Sequence, residues 1–302
     1  MSIRIIPKLD IKGPNLVKGI HFEGLRVMGK PEDFARYYYQ NGADELIYMD
    51  AVASLYGRNS LLEIVERTSR EIFIPLCVGG GLRSVEDIRA VLRAGADKVS
   101  LNTAAIENPE LIRTASRVFG SSTVVVSIEA IRHPDGKYEA FVEYGRQETG
   151  VDAFEWAQRA EALGAGELVV TSIDQEGTGQ GFDLELTRRI AESVSIPVIA
   201  SGGAGNIQHV VQVIEEGKAD AVSMASLLHY NFVRQQAYAE EQFAAEGNVE
   251  FLQGRRGGVG FSKIQETTLP DLKAFLAAQG FDVRQQIFHQ PGVSTGLMEV
   301  QE

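Results

Sequence analysis

The 302-residue chain predicts an α/β protein, a single (β/α)8 barrel of the TIM type built from two similar halves. Two observations carry this. Eight short runs rich in Ile, Val and Leu alternate with amphipathic stretches. They lack polar alternation, as parallel strands covered on both faces do. Three segments also recur in the second half. Gly42-Ala43-Asp44-Glu45-Leu46 returns as Gly164-Ala165-Gly166-Glu167-Leu168. Ile74-Pro75 before Gly79-Gly80-Gly81 returns as Ile196-Pro197 before Gly202-Gly203. Ala96-Asp97-Lys98-Val99-Ser100 returns as Ala219-Asp220-Ala221-Val222-Ser223. The offsets are 122, 122 and 123 residues, a half-barrel unit repeated once.

The expected strands, in order, are Ile3–Leu9, Glu45–Met49, Ile74–Val78, Lys98–Leu101, Thr123–Ile128, Glu167–Thr171, Val198–Ala200 and Ala221–Met224. Between them the helical spacing of apolar residues marks Pro31–Asn41, Ser60–Glu71, Ser84–Ala94, Pro109–Phe119, Ala153–Leu163, Asp183–Ser193 and Ile207–Glu216. Several open with Ser or Asp, whose side chains can cap free amides. Strict alternation of eight strands with helices favours a closed barrel over an open sheet.

Composition bounds the function. Hydrophobic residues make up 44% and charged residues 23%, ordinary for a globular protein with a sizeable core. No apolar run reaches 18 residues, so no membrane span is expected. The first ten residues enter a strand pattern rather than a signal peptide. Cys77 is the single cysteine, which excludes an internal disulfide framework and fits a cytoplasmic setting. It is expected as a buried strand residue. The net charge of −12 argues against general nucleic-acid binding. The five histidines show no metal-ligand spacing, His21 and His229 included, so no metal is expected; no other cofactor is expected either.

In such a barrel the C-terminal strand ends build the active site. Asp10 ends the first strand and Glu129 the fifth, so the two carboxyls are expected to face each other across the mouth. Such a pair can divide acid and base work; solvated loop carboxylates or caps are the bland alternative. Gly79-Gly80-Gly81 and Gly202-Gly203-Ala204-Gly205 follow strands three and seven. Glycine lets backbone amides approach an anion, and a following helix N-terminus favours negative charge. Thr103 and Ser226 are equivalent hydroxyls after strands four and eight. Together these imply two phosphate sites and a long bisphosphorylated substrate. Arg4, Glu45, Lys98 and Glu167 lie at strand beginnings, on the opposite face. They form either salt bridges that close the base or a polar gate over an axial passage.

Together these residues resemble the cyclase subunit of imidazole glycerol phosphate synthase. The resemblance runs from about Ile3 to Tyr230 and resumes near Leu269–Arg284. Its markers are Arg4-Ile5-Ile6-Pro7, Leu9-Asp10, Val17-Lys18-Gly19, Gly42–Leu46, Val78–Gly81, Gly95–Ser100, Asn102-Thr103-Ala104, Glu107-Asn108-Pro109, Gly177-Thr178 and Ala200–Gly205. It implies a lyase of histidine biosynthesis that works with a glutaminase subunit in a heterodimer. Ammonia from the partner crosses the barrel axis and splits a ribulosyl-formimino carboxamide nucleotide. The products are imidazole glycerol phosphate and an aminoimidazole carboxamide ribotide. The resemblance makes Asp10 and Glu129 the acid–base pair and Arg4, Glu45, Lys98 and Glu167 the ammonia gate. Lys18, Gly80, Gly81, Asn102, Thr103, Glu176, Gly177, Gly202, Gly203 and Ser226 become the substrate and phosphate contacts.

Four positions depart from the family pattern. Glu129 and Glu176 stand where aspartates are usual, Tyr144 where a small polar residue is usual, and Lys8 where a cysteine precedes Leu9-Asp10. A glutamate keeps the charge and moves it outward by about one methylene, a scale at which positioning changes rates. Two other readings therefore stay open: a paralogue that delivers ammonia to a surface-sugar substrate, and a non-catalytic binding subunit. The C-terminal part is also unusual. An insertion at about 231–268 precedes the expected last helix, Leu269–Gln279, and a tail follows at about 285–302. The insertion is expected as a surface excursion of this one domain (residues 1–302), with a helix around Phe232–Ala245. Alternatively it is a lid carrying Arg255 and Arg256.

Overall fold

The computed structural model describes residues 2–53, 61–235 and 263–285. Within them the strands are β1 (Arg4–Lys12), β2 (Asn15–Ile20), β3 (Glu23–Gly29), β4 (Leu46–Asp50), β5 (Leu76–Gly79), β6 (Lys98–Leu101), β7 (Val124–Arg132), β8 (Tyr138–Val142), β9 (Gln147–Asp152), β10 (Glu167–Ser172), β11 (Val198–Ser201) and β12 (Ala221–Met224). The helices are α1 (Pro31–Gln40), α2 (Leu62–Ser69), α3 (Val85–Arg93), α4 (Thr103–Glu107), α5 (Glu110–Phe119), α6 (Ala153–Leu163), α7 (Leu184–Ser193), α8 (Ile207–Glu215), α9 (Ser226–Gln235) and α10 (Leu269–Ala278). Every expected barrel strand and helix forms, with boundaries that move by at most a few residues.

The parallel strands run β1-β4-β5-β6-β7-β10-β11-β12. β12 then returns to β1, with Arg4 opposite Ala221 and Pro7 opposite Met224. This closes the sheet and removes its edges. Polar side chains start the helices. Ser84 and Asp87 form a reciprocal capping box on α3, and Asp152, Asp183 and Asn206 accept amide protons at the starts of α6, α7 and α8. Each cap satisfies amides that the helix leaves unpaired.

Period-2 alternation sorts each strand between two cores. On β1, Ile5, Leu9 and Ile11 face the outer shell between sheet and helices. Ile6 faces the lumen, where it meets Ile47, Cys77, Val125, Val169 and Ile199. Cys77 is thus the buried strand residue expected.

Two hairpins were not anticipated. β2–β3 continues antiparallel from the end of β1, with Asp10 opposite Val17. β8–β9 continues likewise from β7, with Glu129 opposite Phe141. β3 and β9 are largely exposed or half-exposed, so their sequences carry little apolar pattern and read as loops. The two hairpins follow the first strand of each half and rise beside the mouth.

At the base, α10 is pinned by Lys273, whose Nζ donates to the Gly42 carbonyl and the Asp44 carboxylate at 2.7 Å each. Arg284 joins Asp44 at 2.8 Å. α9 covers the first residues of the helix expected around Phe232–Ala245. The rest of that helix, Arg255, Arg256 and the tail beyond residue 285 lie outside the described residues.

Candidate active site

The inward face of β1 runs from base to mouth as Arg4, Ile6, Lys8 and Asp10. β7 brings Val125, Ser127 and Glu129 to the same levels, and β10 brings Glu167, Val169 and Thr171. The lumen therefore changes from a charged base through an apolar layer to a polar mouth.

At the mouth Asp10 and Glu129 are 3% and 2% exposed, so neither is a solvated loop carboxylate. Burial raises the pKa of both, because a charge is poorly solvated there. Glu129 is pushed up to about 7: burial is the largest cause, the Asp10 charge adds to it, and Lys8 and the Gly145 amide oppose it. Asp10 is also raised by burial. Lys8 and Lys18 counter this, Glu176 adds to it, and the Tyr144 hydroxyl, facing the carboxylate, lowers it. Lys8 Nζ lies 3.8 Å from Asp10 Oδ1 and 5.3 Å from the Phe22 ring centroid. Asp10 Oδ1, Glu129 Oε2, Asn102 Oδ1, Thr171 Oγ1 and Ser223 Oγ are buried without a hydrogen-bond partner among the described residues. An unmatched buried polar atom costs about 1–3 kcal/mol, so this inward cluster fits a polar ligand.

Two cavities flank the carboxyl pair. One is walled by Asp10, Lys18, Glu176, Gly177, Ser201, Gly202, Gly203, Ser223 and Ser226. The other is walled by Asp50, Gly80, Gly81, Arg83, Ser100, Asn102, Thr103, Glu129 and Tyr144. Every mouth residue expected from the sequence thus lies on one cavity or the other. Each cavity has a glycine turn, the next hydroxyl and one member of the carboxyl pair. Gly203 has a packing reason of its own. Its φ is +107°, and a Cβ there would lie 2.0 Å from the Gly181 carbonyl oxygen, so only glycine fits whatever the turn binds.

Both hairpins reach the mouth. Lys18, on β2, donates to the Glu176 carboxylate and to the Gly19 carbonyl at 2.8 Å. The Phe22 amide donates to Glu176 Oε2 at 3.2 Å, so Glu176 latches the β2–β3 turn to the loop after β10. The β8–β9 turn delivers Tyr144, whose ring packs on Phe22 at 4.3 Å between centroids. His229 ties α9 to β1. The Lys8 carbonyl can only accept, so His229 Nε2 donates to it at 2.9 Å and Nδ1 accepts from the Tyr38 hydroxyl at 2.6 Å. Burial holds this imidazole neutral, its pKa down to about 3. It is a structural histidine.

The four base charges form a closed ring. Glu45 Oε2 accepts from Arg4 and from Lys98 at 2.9 Å each. Glu167 accepts from Lys98 at 2.9 Å and from Arg4. The ring lies below the apolar lumen and apart from the mouth. Among the described residues no group of acidic, His or Cys side chains could hold a metal. No helix among them is long and apolar enough to cross a membrane.

Sequence reasoning missed Asp50, Arg83, Ser100, Thr171, Ser201 and Ser223. Except for Arg83, an exposed residue of the loop after β5, their only signal was an inward position near a strand's C-terminal end, which requires the register.

Fold and site define a class: a two-fold-repeated (β/α)8 barrel whose mouth sets a buried carboxyl pair between two glycine-walled cavities, with a charge ring at its base. Residues 4–234 match the sequence model of the family described as "Histidine biosynthesis protein". The chain belongs to that family. It is 58% identical over 207 residues to imidazole glycerol phosphate synthase subunit HisF of Legionella pneumophila, covering 68% of this chain and 98% of that relative. The HisF subunit of Methanocaldococcus jannaschii is 51% identical over 249 residues, covering 76% and 92%. That of Trichormus variabilis is 52% identical over 233 residues, covering 76% and 91%.

Proposed function

We propose that this chain is the cyclase subunit of imidazole glycerol phosphate synthase, a lyase of histidine biosynthesis. It uses ammonia to convert the ribulosyl-formimino carboxamide nucleotide to imidazole glycerol phosphate and aminoimidazole carboxamide ribotide. The observation that carries this is the pairing of two glycine-walled cavities with two buried carboxyls at one mouth. A substrate with a phosphate at each end places its reacting centre between Asp10 and Glu129. One phosphate lies against Gly80, Gly81, Asn102 and Thr103, the other against Gly177, Gly202, Gly203 and Ser226. Lys18 and Glu176 then close the β2–β3 turn over it. Ammonia addition needs one proton removed from nitrogen and one supplied to oxygen, which a carboxylate and a carboxylic acid provide.

The base ring is read as the entry gate for ammonia made by a glutaminase subunit, with the two chains forming a heterodimer in the cytoplasm. The residues lining the lumen above the ring are apolar, which suits uncharged ammonia better than ammonium. The test is direct: purified chain, ammonium salt and the ribulosyl-formimino nucleotide, with both products followed. Turnover is the expected result. No turnover at saturating ammonium overturns the assignment and moves the acceptor to another class, such as a nitrogen-bearing surface sugar. Tyr144 and Lys8 in the mouth are the features that would favour that second reading.

A further inference from the structure

Two buried carboxyls that feel each other's charge do not both ionise readily near neutral pH. Acid–base work by Asp10 and Glu129 therefore needs something that assigns the charge to one of them. The surroundings are unequal. Asp10 is faced by the Lys8 ammonium on its own strand at 3.8 Å, by the Lys18 ammonium from β2, by the Tyr144 hydroxyl from the β8–β9 turn, and by the repelling Glu176 carboxylate. Glu129 is faced by Asp10 and Glu176, by one backbone amide, that of Gly145, and by Lys8, whose only ion pair within 4.0 Å among the described residues is with Asp10. Its Oε2 has no hydrogen-bond partner among the described residues.

Two of the groups that favour charge on Asp10 are held in place by the fold. Tyr144 and its neighbour Glu143 adopt left-handed backbone, with φ of +58° and +55°. Side chains with a Cβ disfavour this region, and such conformations persist where the surroundings impose them. The turn carries the Tyr144 ring onto Phe22 and its hydroxyl to Asp10. Lys8 is 7% exposed on an inward strand face, and its backbone carbonyl is anchored by His229. A structural role in that layer needs no ammonium.

We propose that Lys8 and Tyr144 are positioning residues that split the carboxyl pair, fixing Asp10 as the ionised base and Glu129 as the protonated acid. The proposal rests on the cyclase reading for its substrate. In the addition step the ammonia nitrogen bonds to the substrate's carbonyl carbon. Asp10 takes a proton from that nitrogen, and Glu129 gives one to the carbonyl oxygen. Loss of water then runs the pair backward. Asp10 returns its proton to the departing oxygen, Glu129 takes one from nitrogen, and the imine forms. The pair carries a single negative charge throughout, and Lys8, whose Nζ lies 3.8 Å from Asp10 Oδ1, draws it back to Asp10 at the end of the cycle.

The test is the pH profile of kcat/KM, measured at fixed free ammonia, for wild type, Lys8→Met, Lys8→Arg and Tyr144→Phe. The acid limb reports ionisation of Asp10. Lys8→Met is expected to move it up by about one pH unit, and Lys8→Arg to return it toward wild type. Tyr144→Phe keeps the ring and is expected to move the limb in the same direction by less. A limb unmoved in both Lys8→Met and Tyr144→Phe overturns the proposal, because packing changes alone alter rate and not the position of the limb. Carboxyl carbon-13 NMR of the free protein supplies an arm that needs no turnover. One glutamate should titrate near neutrality and vanish in Glu129→Gln. A Glu129 titrating in the ordinary carboxylate range overturns the proposal. If the wild type fails to turn over the nucleotide while this NMR result holds, the cyclase reading falls and the charge split stands.

Discussion

Burial at Glu129 sets stability against charge. Its carboxyl is pushed up to about 7 in the fold, above the usual glutamate value. A raised folded-state pKa contributes stability that is fully present below the unfolded value, near 4.5, and is lost as pH rises to about 7. The cost above that window is on the order of 3 kcal/mol. Glu129→Gln should therefore raise the melting temperature at pH 8 and change it little at pH 4, which thermal unfolding at the two pH values reads directly. The same substitution should remove turnover. Asp10→Asn, which deletes a proton acceptor at nearly constant volume, should lower kcat by at least about 100-fold with the fold intact by circular dichroism. Near-normal kcat would remove Asp10 from the chemistry. Asp10 and Glu129 were legible in the sequence because each ends a predicted strand at equivalent places in a repeat. Asp50 and Ser223 were not, because a lone polar residue at a strand end gains meaning only when the register turns it inward.

The two hairpins show what pattern reading loses at the scale of an element. Barrel strands announce themselves by continuous apolar residues because both faces are covered. β3 and β9 keep one side in solvent and have no such signal, yet their turns deliver Phe22 and Tyr144 to the mouth. Lys18 was read from a motif, without the hairpin that carries it. The Glu176 latch makes a testable element. Glu176→Ala removes the partner of the buried Lys18 ammonium and of the Phe22 amide. Hydrogen exchange should accelerate in residues 15–29 while the barrel strands stay protected, and KM should rise more than kcat falls. The glycine turns need a different probe. Gly203 is required by the Gly181 backbone, so a side chain there disturbs packing as well as any ligand. Thr103→Val and Ser226→Ala act on the hydroxyls instead. Each should weaken a phosphate-ended ligand by about tenfold, equivalent to about 1.4 kcal/mol, seen by calorimetry.

For the molecule as a whole, the repeat made the barrel legible, since three segments at offsets of 122 to 123 residues predict where the second half will sit. The base ring yields a prediction at this scale. Arg4→Ala should uncouple glutamine hydrolysis by the partner from cyclisation while ammonium supplied in solution still supports turnover. The stability loss should fall short of the about 3–5 kcal/mol typical when one partner of a buried ion pair is removed, because the Arg4 side chain is 28% exposed. Closure of the barrel has a further consequence for how a cell makes the protein. β1 leaves the ribosome first, yet its partner β12 begins at Ala221 and Ile3 bridges Val283. At typical synthesis rates roughly 10–40 s separate the two ends of that seam. Throughout that interval β1 of the nascent chain keeps one backbone edge unpaired, with the apolar Ile5 and Ile6 on its two faces, a natural station for a chaperone. Chains stalled before Ala221 should be captured there and degraded by protease, and chains released after Arg284 should not.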